Sequence, residues 1–228
     1  MDSLSSAAHF RGQRPSLRGW FHLVAAIVGA LAGVVLFVVA ALRLTPLQTL
    51  SVGVYVVGVV LLFGVSAAYH RGPWKTPETV AWWRRADHST IAVFIAATYT
   101  PMCAIALNPQ AAKWMLSIAW VGALASVVMN LVWITHPRLL GTAIYLVLGW
   151  LIVPLIPELW RNAGSTVVWL LAAGGVVYTL GAVVYAIKWP GRHAKVLGFH
   201  EIFHAATIVA AVLHMIAVWI VVMGAAHT

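Results

Sequence analysis

The sequence predicts an all-α integral membrane protein of seven transmembrane helices, and three observations carry that prediction. Of the 228 residues, 62% are hydrophobic and 8% charged, whereas soluble domains are about half apolar and a quarter charged. The apolar residues gather into seven runs, each long enough or nearly so to cross a hydrocarbon layer of ~30 Å as a helix. Lys and Arg alternate between dense and sparse loops from one run to the next, the signature of a fixed orientation in the bilayer.

The first run covers 19–42 and contains "VGALAGVV", small residues of the kind that let membrane helices pack closely. It is too long for the core of a signal peptide and has no convincing cleavage site, so it is expected to be retained. The second run, 48–70, ends in "SAAYH", and the third, 88–107, opens just after Asp87 in "RRADHSTI". Aspartate is favoured at helix N-caps, so a cap for this helix is the bland alternative for Asp87, one compatible with a role in a site. The fourth covers 114–135. The fifth, 140–157, is the shortest, because Pro154 and Pro157 interrupt it. The sixth, 165–187, carries "AAGGVVYTLGAVVY", and the seventh, 199–223, completes the set. Loops are short and no repeat or linker stands out. One membrane domain is expected over 18–228, behind a short cytoplasmic segment of residues 1–17. Trp20, Trp74, Trp114, Trp160 and Trp189 sit near run ends, where tryptophan anchors at the interface.

Seven spans place Arg11, Arg14, Arg18, Arg71, Lys75, Arg84, Arg85, Arg138, Lys188, Arg192 and Lys195 on one side. Arg43, Lys113 and Arg161 fall on the other, so eleven of the fourteen basic residues share a face. That face is expected to be cytoplasmic, with the C-terminus outside the plasma membrane. The net charge of +9 is then a basic rim facing anionic headgroups. Charges scattered over several loops, with no recognisable binding module, argue against a nucleic-acid partner. Cys103 stands alone, which leaves no internal disulfide and no cysteine metal cluster.

Ionisable groups inside a span are costly and therefore candidates for function. His70 ends the second span and Ser66 lies one turn deeper; Asp87 opens the third; His200 and His204 lie in the first turns of the seventh. All share one depth near the basic face, as does His22 in "GWFH". Residues four apart lie on one helix face about 6 Å apart along the axis, so His200 and His204 can hold one metal ion. His214, ten residues further, lies about 15 Å deeper and is turned away by roughly 80°.

His200-Glu201-Ile202-Phe203-His204 also matches H-E-x-x-H, the zinc-protease helix in which the glutamate is the general base. Such an enzyme needs a third ligand, yet no Asp or Glu follows His204, and Ala210 stands where a metzincin carries histidine. The third ligand must come from another helix. Glu158 is on the wrong face, which leaves His70, Asp87, His22, His88 or Glu78; His70 combines the right depth with a neutral imidazole that suits zinc. A packed pair of interfacial histidines is the bland alternative, as a helix-packing serine is for Ser66.

"RGWFHLVAA", "SAAYHR", "ADHSTIAVFIAATYTP", "YLVLGW", "GGVVYTLGAVVY" and "FHEIFHAATIVAAVLH" follow one another in an order that resembles the hemolysin III family, within the PAQR group that includes the adiponectin receptors. The resemblance runs from Arg14 to near the end of the chain. It implies that His70, His200 and His204 are zinc ligands, that Asp87 holds or activates the zinc-bound water, and that Ser66 belongs to the site. It also implies the shorter, bacterial-type branch. Adiponectin receptors carry Gln where this chain has Glu201, so the protease-like glutamate is expected to be incidental.

Three protein ligands with an open fourth position make the catalytic type of zinc site. At headgroup depth the natural substrate is a membrane lipid, and the related ceramidases point to hydrolysis of a lipid amide or ester. Two other expectations are a non-enzymatic regulator of membrane composition or fluidity with structural zinc, and a cytolytic hemolysin. The sequence shows no amphipathic pore-lining stretch to support the latter.

Overall fold

The structure is a computed structural model describing residues 17–191 and 198–225. Most of the 1–17 segment, and Arg11, Arg14, Arg192 and Lys195 of the charge pattern, lie outside the described residues. Every regular element among those described is helical: α1 Trp20–Arg43, α2 Pro46–Arg71, α3 Pro77–Ala106, α4 Pro109–Val132, α5 Arg138–Gly149, a 3-10 turn Val153–Leu155, α6 Ile156–Ala163, α7 Ser165–Ile187 and α8 Phe199–Ala225. The 138–163 stretch acts as one span, so seven helical spans are long and apolar enough to cross a membrane.

Three spans start on the same device, a capping side chain followed by proline. Thr45 and Pro46 open α2, where Gln48 N–H donates to Thr45 Oγ1 and Thr45 N–H donates to Gln48 Oε1. Thr76 and Pro77 open α3, with Thr79 N–H donating to Thr76 Oγ1 at 3.2 Å. Asn108 and Pro109 open α4, with Ala111 N–H donating to Asn108 Oδ1 at 2.9 Å. The side chain satisfies an N–H that the first turn leaves open, and proline has no N–H to lose there.

This device corrects the expected start of the third helix. It begins at Pro77 rather than 88, so Asp87 is not its N-cap; that position belongs to Thr76. The added turns hold Trp82, Trp83, Arg84 and Arg85. Their amphipathic side chains suit the headgroup zone and hid a helix that apolarity alone could not find. The fifth span is corrected as well. It runs past 157 to Ala163, because the two prolines break it into α5, the 3-10 turn and α6 without ending it.

α3 is the central helix. It packs against α2, α4, α5, α6 and α8, and 67% of its spanning window is buried, against 17% for α1. A helix surrounded by protein needs small and weakly polar residues more than greasy ones, and α3 supplies Ser89, Thr90, Ala92, Ala96, Ala97 and Thr98 on its buried faces. Close approach to α2 depends on Gly58, where an added Cβ would stand 2.6 Å from Ala97 Cβ.

The helices alternate in direction, so the bundle has two distinct ends. One gathers the starts of α1, α3, α5 and α8 and the ends of α2, α4 and α7. Arg18 pairs with Glu201 there, Arg85 Nε donates to Leu131 O at 3.1 Å, and Arg138 lies over the Tyr185 ring. At the opposite end Glu158 accepts from Asn108 N–H at 2.6 Å, and Asn162 donates to Ala106 O at 2.9 Å. Arg18, Arg71, Lys75, Arg84, Arg85, Arg138 and Lys188 belong to the first end; Arg43, Lys113 and Arg161 belong to the second.

Candidate metal centre

The last turn of α2 and the first two turns of α8 meet at the basic end. His70 ends α2 and is 7% exposed; His204 is 3% exposed. The 200/204 spacing turns both α8 imidazoles toward His70, as one helix face requires. One ring nitrogen from each of His70, His200 and His204 lies within 4.8 Å of the other two. His70 Nε2 and His200 Nε2 stand 3.1 Å apart. Imidazole nitrogens about 2 Å from a tetrahedral zinc are a little over 3 Å apart, so the donor set fits such an ion. Of the five third-ligand candidates, the structure therefore brings in His70.

Asp87 reaches the cluster from α3, with Oδ2 4.0 Å from His70 Nε2. Ser66 is buried one turn below His70, and its hydroxyl faces the Asp87 carboxyl without closing to hydrogen-bond distance. The remaining candidates do not join the trio. His22 is buried, with its ring stacked on His204 at 3.7 Å between centroids and 11° between planes. His88 lines the same cavity without entering the trio, and Tyr145 O–H donates to its carbonyl at 3.0 Å. Glu78 is exposed in the first turn of α3, Glu158 is at the far end, and His214 lies deeper along α8.

Glu201 has a place of its own. It is 1% exposed, pairs with Arg18, and accepts from Gly198 N–H at 2.9 Å. The second contact is the return half of a capping box, in which a residue near the start of a helix satisfies the chain just ahead of it. With both carboxylate oxygens engaged, the glutamate of H-E-x-x-H serves the helix start and not a protease reaction. Arg18 sits beside Gly19, whose φ of +80° favours glycine and where a Cβ would lie 2.7 Å from His70 Cβ. The tight turn before α1 thus packs directly on His70 of the candidate site.

An elongated cavity leads from this cluster into the bundle. His22, Ser66, Asp87, His200 and His204 line its polar end, and the remainder is lined mostly by apolar residues such as Ile95, Met102, Ile156 and Val168, with Thr207, Tyr178 and His214 among them.

The sequence profile of the haemolysin-III related family matches residues 10–215. Hemolysin-3 of Bacillus cereus is 30% identical over 76% of this chain and 78% of its own. A hemolysin-3 homolog of Bacillus subtilis is 29% identical over 81% and 83%. A heptahelical transmembrane protein of Oryza sativa subsp. japonica, named ADIPOR2, is 29% identical over 72% and 79%. With seven spans and the histidine cluster in place, the chain belongs to the haemolysin-III related family of membrane proteins.

Proposed function

We propose that the chain is a zinc-dependent hydrolase of a lipid amide or ester, working at the cytoplasmic face of the plasma membrane. The observation that carries this reading is the convergence of three imidazoles beside a carboxyl group at the head of an apolar cavity. Zinc held by three imidazoles with an open position supplies Lewis acidity and brings the pKa of water down to about 7.

The residues divide the remaining work. His70, His200 and His204 hold the ion, and the His22 ring keeps His204 from rotating out of line. Asp87 accepts a proton from water at Oδ2 and later delivers it to the leaving amine or alkoxide, the two halves of general acid–base catalysis. Ser66 Oγ donates a hydrogen bond to the carbonyl oxygen as charge builds on it. The cavity admits the acyl chain and excludes water from it. The greater Lys and Arg density at this end supports a cytoplasmic placement.

The test is incubation of purified, zinc-loaded protein with a labelled N-acyl lipid and a matched ester. Turnover is expected, falling at least ~100-fold in Asp87→Asn with zinc retained. No turnover across a broad lipid panel, with zinc still bound, would overturn the reading. It would favour a structural ion instead, for which the ligands' origin on two helices, α2 and α8, already provides a rationale.

A further inference from the structure

Deep in the cavity, beyond Thr207, two polar side chains face each other without an assigned task. Tyr178 on α7 and His214 on α8 both line the space, their ring centroids 5.6 Å apart. The Tyr178 hydroxyl oxygen is buried and has no hydrogen-bond partner. His214 Nε2 lies 3.2 Å from Leu171 O, a carbonyl that can only accept, so Nε2 carries the proton. In a neutral imidazole Nδ1 is then an acceptor.

The chain has made room for this arrangement. A Cβ at Gly174 would stand 2.3 Å from His214 Nε2, so any larger residue would push the imidazole out of place. A donor on α7 and an acceptor on α8 thus line the same part of the cavity, His214 standing about 15 Å of helix rise below His204. A hydroxyl left without a partner in such surroundings is costly, and a histidine there is costlier than the leucine that would fill the same space.

We propose that Tyr178 and His214 form a second binding site, which takes a hydroxyl group borne partway along the hydrocarbon chain of the lipid. Tyr178 O–H donates to the hydroxyl oxygen, and His214 Nδ1 accepts the hydroxyl proton. The ligand class is a long-chain amphiphile hydroxylated near mid-chain. The inference rests on the reading that the cavity admits a lipid chain.

Binding of 12-hydroxyoctadecanoic acid and of octadecanoic acid to the purified full chain, each followed by calorimetry in the same detergent, tests it. The hydroxylated acid is expected to bind about tenfold more tightly, and Tyr178→Phe to bring that ratio to about one without weakening octadecanoic acid. His214→Leu should abolish the preference likewise. Equal affinities in the wild type, or a preference that survives Tyr178→Phe, would overturn the site while leaving the lipid cavity standing. A preference equal to that for 2-hydroxyoctadecanoic acid would place recognition at the metal end and overturn it too. Binding of neither octadecanoic acid would remove the lipid cavity, and this site with it.

Discussion

Glu201 shows how one residue type in a familiar pattern can take an unfamiliar task. Its carboxylate is buried between the Arg18 guanidinium and the Gly198 N–H, so it contributes by holding the start of α8 to the turn before α1. Removing one partner of a buried pair leaves the other charge uncompensated. Arg18→Ala is therefore expected to destabilise the bundle by about 3 kcal/mol, measured by unfolding in detergent. Glu201→Gln keeps an acceptor for Gly198 and should retain zinc and turnover to within about tenfold; a protease base would lose 100-fold or more. The pattern of histidines was legible because spacing and depth follow from a single helix. The Arg18 contact was not, since it joins positions 183 apart. The stack of His22 on His204 was equally hidden, although shared depth had already put His22 near the site. A glutamate three places after Gly198 was a usable capping signal that the zinc-protease pattern obscured.

At the level of elements, the two misjudged spans share a cause: hydrophobicity reports the lipid-facing part of a helix and not its whole length. α3 extends eleven residues toward the headgroups beyond the expected start because Thr76-Pro77 begins it. In the fifth span the α-helical ladder stops at Gly149 and a 3-10 turn follows, so carbonyls at the end of α5 can take donors from elsewhere. Tyr99 supplies one from α3, its hydroxyl lying 2.8 Å from Leu148 O and 2.6 Å from Gly149 O. Tyr99→Phe leaves those carbonyls without this donor and is expected to cost about 1–3 kcal/mol. Thermal unfolding of the purified variant checks the figure, and an unchanged midpoint would show that the break needs no such support. The prolines announced the interruption, but nothing near them in sequence named Tyr99.

For the whole molecule, the number of spans and the segregation of charge were the most legible features, because each depends on many residues. Seven alternating helices bring His70, Asp87, His200 and His204 to one end, whereas an odd number of crossings between any of them would have parted the site. The same alternation predicts a cytoplasmic N-terminus and an external C-terminus. A C-terminal phosphatase fusion should be active outside the cell, and a silent fusion would reverse the orientation. What composition could not show is how the α7 and α8 faces meet inside the bundle, where Tyr178 and His214 find each other. The proposed chemistry depends on one event, the joint binding of a single ion by imidazoles from α2 and α8. Metal analysis of the purified chain beside His204→Ala tests it most directly. About one zinc per wild-type chain, falling to near zero in the variant, is the predicted result; a metal-free wild type, or a variant that keeps its zinc, would contradict it.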